Sequence, residues 1–163
     1  MQELDPPDCH YLNAAIGWLE LGSLKEAKAE WGRIRPGLRR HADVLEVWWQ
    51  ICAVERDWPA ALSTAEALLH SSPDRPAGWI CQSYSLHELK RTREAWDRLL
   101  PLVEKFPREA TIPYNLACYA CQMGKLDEAQ RWLQRAIGIK TKFRRMAMSD
   151  PDLKPLRDLI RKL

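Results

Sequence analysis

Apolar residues along this chain recur at spacings of three and four, in paired stretches that return four times. Tyr11, Ala14, Ala15, Trp18 and Leu21 form the first stripe, the mark of an amphipathic helix. Gly22 closes it, and Ser23-Leu24-Lys25-Glu26 opens a second helix with a capping-box pattern. Leu24, Ala27, Trp31 and Ile34 line the buried side of that helix, and Pro36-Gly37 stops it. Ala27, Ala61, Ala95 and Ala129 then stand 34 residues apart with no insertion between them. A constant period of this length predicts stacked helix-turn-helix units, starting at Asp8, Ala42, Pro76 and Ala110.

The later units follow the plan. In the second, a helix from about Asp43 to Glu55 carries Leu45, Trp48, Trp49 and Cys52. Asp57 and Pro59 suit the start of its partner, which turns Ala61, Ala65 and Leu68 inward. The third unit has Trp79, Leu86 and Leu89, then Ala95, Leu99 and Leu102. Pro101 is expected to kink that second helix without ending it, since apolar spacing continues through Val103. The fourth has Leu116, Ala117, Ala120 and Met123, then Gly124, then Leu126, Ala129, Leu133 and Ala136. Beyond it, Asp150 is expected to cap a helix with Pro151 at its first position. Leu153, Leu156 and Ile160 would face back onto unit four, because a repeat stack must cover its last apolar face.

The pattern resembles the tetratricopeptide repeat (TPR), including its bacterial members, over nearly the whole chain. The residues that carry the likeness are Tyr11, Ala15, Trp18, Gly22, Ala27 and Trp31 in unit one, and Trp79, Ser83, Ala95, Leu99 and Pro107 in unit three. Unit four adds Leu116, Ala117, Gly124, Ala129 and Leu133. Unit two departs most, with Trp49 at the small-residue position where paired helices approach closely. The resemblance implies one all-α domain over residues 1–163, a right-handed superhelix of four stacked units (about 8–41, 42–75, 76–109 and 110–143) with a C-terminal capping helix in 144–163. It also implies a non-catalytic interaction module whose first helices line a concave groove.

Composition changes this picture little. The 163 residues are 46% hydrophobic and 29% charged, which suits one domain of ordinary size. The net charge is +3, too small to argue for nucleic acid. That charge is uneven. From Gly138 onward there are eight Lys or Arg against three Asp, a net of +5, for which a solvated face is the simpler account than an acidic partner. Met1–Pro7 is acidic and proline-rich, so no secretory signal is expected, and no apolar run suits a membrane span. Five scattered cysteines read as reduced thiols, hence a cytoplasmic location.

By register the groove positions are Leu12, Ile16 and Leu19; Glu46, Gln50 and Ala53; Ile80, Tyr84 and His87; and Tyr114, Cys118 and Cys121. The set is mostly apolar and aromatic, which suits a protein or peptide partner presenting an amphipathic helix or an extended apolar segment. The alternative is that the N-terminal segment or the C-terminal cap fills the groove. A homodimer, and a chaperone shielding an aggregation-prone or secreted client, are further partner readings. The carboxylate clamp of some TPR proteins maps onto Leu12, Ile16, Val47, Ala77 and Cys81, none of them a cation or amide.

Cys118-x-x-Cys121 puts two thiols on one helix face, with Cys81 and His87 as conceivable further metal ligands; small apolar filling is the competing account. No cofactor is implied. His10, His41, His70 and His87 have no triad spacing, and no Gly-rich phosphate loop occurs. Of the eight tryptophans, Trp18, Trp31 and Trp79 are expected in the core, Trp96 and Trp132 partly exposed, and one of Trp48 and Trp49 projecting towards a partner.

Overall fold

The structure is a computed structural model and describes residues 4–162. All regular elements among them are helical: α1 (Asp8–Glu20), α2 (Leu24–Arg33), α3 (Ala42–Glu55), α4 (Trp58–Ser71), α5 (Pro76–Glu88), α6 (Thr92–Leu99), α7 (Leu102–Lys105), α8 (Thr111–Gln122), α9 (Leu126–Ile139), α10 (Lys142–Ser149) and α11 (Arg157–Lys162). Single 3-10 turns lie at Pro36–Leu38 and Lys154–Leu156.

The 34-residue period is written into the backbone. Gly22, Arg56, Lys90 and Gly124, each one period after the last, are the described residues with left-handed φ (74°, 57°, 65° and 76°). Each follows the first helix of its unit. The next residue then reaches back to a carbonyl in the last turn: Ser23 to Trp18 at 2.8 Å, and Asp57 to Cys52, Arg91 to Leu86 and Lys125 to Ala120 at 2.9 Å each. This closes otherwise orphaned carbonyls and aims the chain into the second helix. Four residues later come the four alanines, all with no exposed surface. A methyl group is what permits two helices to close at that point.

The chain forms two compact halves, residues 4–85 and 86–162, which divide within α5. In the first, α1 packs on α2, α3 on α4, and both α1 and α2 on α3. Leu12, Ala15, Ile34, Val44, Val47 and Ile51 form one core cluster; Ala42, Leu45, Ala65, Leu68 and Cys81 form another. Trp31 lies 4.2 Å from Trp48 between ring centroids and donates its indole N–H to the Val44 carbonyl at 3.0 Å. Gly78 marks a close approach, since a Cβ there would meet Leu69 at 3.1 Å. Asp8 is fully buried and accepts from the Arg35 backbone N–H (2.8 Å) and guanidinium (2.6 Å). The Arg35 backbone bond, aided by its guanidinium and opposed by burial, holds that carboxyl below its ordinary value.

In the second half α8 packs on α9, α6 on α8, and α10 on α9. Every residue of α8 from Ile112 to Cys121 is buried. Leu153, Leu156 and Ile160 are buried too, as the sequence leads one to expect of a cap.

Several local expectations are corrected. Pro101 does end α6: the helix stops at Leu99 and restarts at Leu102, although Leu100 and Pro101 keep right-handed helical angles. The missing proline N–H breaks the ladder there. Ser23 bonds the Glu26 carboxylate and not a backbone N–H, so the capping box is made side chain to side chain. The C-terminal cap is two short helices rather than one, and Pro151 sits in a turn between them. Trp18 is 38% exposed while Ala15 and Ala27 on the same helix pair are fully buried, whereas Trp96 is 4% exposed.

Candidate functional site

The first helices of the units present two different faces in the two halves. In the first half, Leu12 is committed to the core, and Ile16 and Leu19 lean on the same cluster together with Leu4. Beside them lies an open cleft of about 320 Å³, lined by Leu19, Glu20, Trp49, Gln50, Ala53 and Val54. Val54 is 61% exposed and Gln50 is exposed as well. Trp49 is held from behind: its indole N–H donates to Ser85 at 3.0 Å, and its ring meets Tyr84 edge-on at 6.0 Å. Trp58 packs on the same tyrosine at 5.7 Å. Tyr84 is thereby a strut between two indoles, and Ile80 is half-buried on the same helix.

Glu46 is tied up in an ion pair. Arg75 grips it and Asp43 together, the latter at 2.6 Å. Burial raises the Glu46 carboxyl above its ordinary value, opposed by the Arg75 charge. A second, larger cleft of about 770 Å³ is lined by Arg40, Leu45, Glu66, Ala67, Leu69, His70, Ser71 and Gln82.

In the second half the corresponding face is closed by the chain itself. Tyr114 donates its hydroxyl to Asp150 Oδ2 at 2.7 Å, and its ring stacks on Phe143 at 4.7 Å. Cys118 Sγ donates to the same oxygen at 3.7 Å. His87 Nε2 lies 3.0 Å from Asp152 Oδ2, its Nδ1 3.0 Å from Thr92 Oγ1, and its ring 4.8 Å from Tyr119. Gln122 donates to the Asp152 carbonyl at 3.3 Å. Asp150 Oδ1 accepts the Asp152 backbone N–H at 3.0 Å, which fixes the turn that carries both carboxylates. Tyr114, His87, Cys118 and Cys121 are therefore all buried.

Burial, reinforced by Asp150 and Asp152, pushes the Tyr114 hydroxyl and the Cys118 thiol well above their ordinary values and raises the Cys121 thiol. Cys81, in the first half, is raised by burial and by Glu46. These are protonated thiols at neutral pH, not poised nucleophiles. Among the described residues, one group has metal-ligand chemistry: Cys118 Sγ and a carboxylate oxygen each from Asp150 and Asp152, all within 4.8 Å of one another.

Cys118 is legible in the sequence as a candidate ligand, and these carboxylates are not. Asp150 and Pro151 read locally as a helix start, and nothing local says that the side chain reaches back to α8.

No protein-family model and no curated protein matches the chain. Solved structures do. A thermophilic TPR protein of Thermus thermophilus superposes with a TM-score of 0.76 at 15% identity, over 96% of this chain and 100% of that one. Pseudomonas aeruginosa PilF gives 0.74 at 20% identity, over 95% of this chain and 69% of its own. MamA (41-end) from Desulfovibrio magneticus RS-1 gives 0.70 at 18%, over 98% and 94%. With the all-helical pairing and the four repeated left-handed closures, these matches identify the fold as that of the tetratricopeptide-repeat proteins.

Proposed function

We propose that the chain is a non-catalytic protein-interaction module that holds a partner segment against the first half. The carrying observation is the cleft between Leu19 and Val54. Apolar side chains there stay in water while Trp49 is braced by Ser85 and Tyr84. A rigid aromatic wall with an exposed aliphatic rim suits burial of two or three apolar partner side chains. Gln50 adds a hydrogen-bonding group, and Glu20 at the edge favours a basic residue nearby. Tyr114, Cys118 and Cys121 play no part in this contact, because Asp150 and Phe143 already occupy their face. The reading includes a cytoplasmic site of action; no helix among the described residues is long and apolar enough to cross a membrane.

The test is affinity capture with the wild-type chain and a Leu19→Asp, Val54→Asp variant, each checked by circular dichroism. A partner recovered by the wild type and lost by the variant supports the reading. Equal recovery moves the contact surface elsewhere.

A further inference from the structure

The cluster that closes the second half has a chemistry that packing does not require. A buried thiol faces two carboxylates, and each of the three side chains is already held. Tyr114 fixes Asp150, His87 fixes Asp152, and Cys118 projects from the buried α8. We propose that Cys118, Asp150 and Asp152 form a binding site for a zinc-like divalent transition-metal ion.

Three observations support it. First, Cys118 Sγ and Asp150 Oδ2 lie 3.7 Å apart. Sulfur and oxygen bound to one tetrahedral zinc are about 3.6 Å apart, given bonds of roughly 2.3 and 2.1 Å. The ion takes the place of the thiol proton between those two atoms with almost no movement. Second, the Asp152 oxygen lies within 4.8 Å of both, so a contraction of about 1 Å completes a three-ligand set with a fourth position left for water. Third, the carboxylates carry supporting hydrogen bonds from Tyr114 and His87, the outer partners that orient metal ligands. The Asp152 side chain is 29% exposed, which gives an ion a way in.

The donor set also selects the ion. A thiolate beside two carboxylates suits zinc or cobalt, whereas calcium and magnesium take oxygen ligands. Binding exchanges one proton for the ion: Cys118 loses its S–H proton to solvent as the sulfur–metal bond forms. Because the ligand is the thiolate, this exchange makes affinity climb with pH. The site is independent of the partner cleft in the first half, and either reading can fail alone.

The experiment titrates the full chain with Co²⁺ alone as an optical probe. The expected result is a near-ultraviolet thiolate-to-cobalt band that saturates at about one equivalent and is abolished by Zn²⁺. Cys118→Ala removes the band, Cys121→Ala retains it, and Asp152→Asn weakens binding roughly tenfold or more. A second measurement needs no variant: Zn²⁺ added to wild type in dilute buffer at slightly alkaline pH releases about one proton per ion. Absence of a band and of proton release in wild type overturns the proposal. So does a band that survives Cys118→Ala, which would come from another thiol. A band unchanged in Asp152→Asn overturns the three-ligand assignment.

Discussion

The two halves of this chain apply one repeat plan to the same helix face and leave it in opposite states. In the first half, Leu19, Gln50 and Val54 border an open cleft. In the second, the matching face of α8 lies under Phe143, Asp150 and Asp152, and none of its residues from Ile112 to Cys121 is exposed. The difference is not one of hydrophobicity alone. Tyr114 and Cys118 each bring a donor to the face, and a carboxylate carried on a tight turn satisfies both. The first-half cleft brings Gln50 and aliphatic groups that nothing among the described residues covers. A few polar residues decide whether the chain covers a repeat face internally.

The largest expected effect contrasts a closed-face residue with an open-face one. Tyr114→Ala removes a ring that is 6% exposed and should cost about 3–5 kcal/mol in urea unfolding. Val54→Ala should stay within about 0.5 kcal/mol. Similar costs for the two would erase the distinction between the halves. Next, Asp150→Asn weakens the acceptor for Tyr114 and Cys118 and should cost about 1–3 kcal/mol. Hydrogen exchange over residues 142–162 should speed up while residues 8–71 stay unchanged; a uniform change across the chain would mean that the latch is not local.

Smaller effects test the shared plan. Arg56→Gly in the first half and Lys90→Gly in the second each relieve a left-handed backbone and should stabilise by about 1 kcal/mol. A gain in only one would show that the closures are not equivalent. The smallest effect is acid sensitivity of the first half through Asp8. Its carboxyl is lowered on folding, so it contributes stability above its unfolded value of about 3.9. That contribution is lost as pH falls through the folded value, and Asp8→Asn should remove this part of the acid dependence. An Asp8→Asn chain with the wild-type pH profile between about pH 5 and pH 3 contradicts it.

The repeat was legible because its signals are local and recur. Four alanines at one period, with Gly22 and Gly124 three periods apart, predict the helix pairs, and Ala27, Ala61, Ala95 and Ala129 are all fully buried. Two of the four left-handed closures were not readable, since Arg56 and Lys90 carry no such signature and the preceding helix imposes the angle. The helix α10 was missed because Phe143 and Ala147 are its only buried residues, too short a stripe to announce a helix. The latch was invisible for a different reason. It joins Asp150 to Tyr114 across 36 residues, and sequence spacing carries no information about which distant polar groups meet.

Thiol reactivity tests the contrast between the halves most directly. Gln50→Cys places a thiol in the first-half cleft, while native Cys118 lies under the cap of the second half. Alkylation followed residue by residue by mass spectrometry should modify the introduced thiol rapidly and Cys118 only at the rate at which the cap opens, with Asp150→Ala accelerating Cys118 and leaving the introduced thiol unchanged. A Cys118 that reacts as fast as the thiol at position 50 in the otherwise unaltered chain would contradict the account, because the second-half face would then be as open as the first.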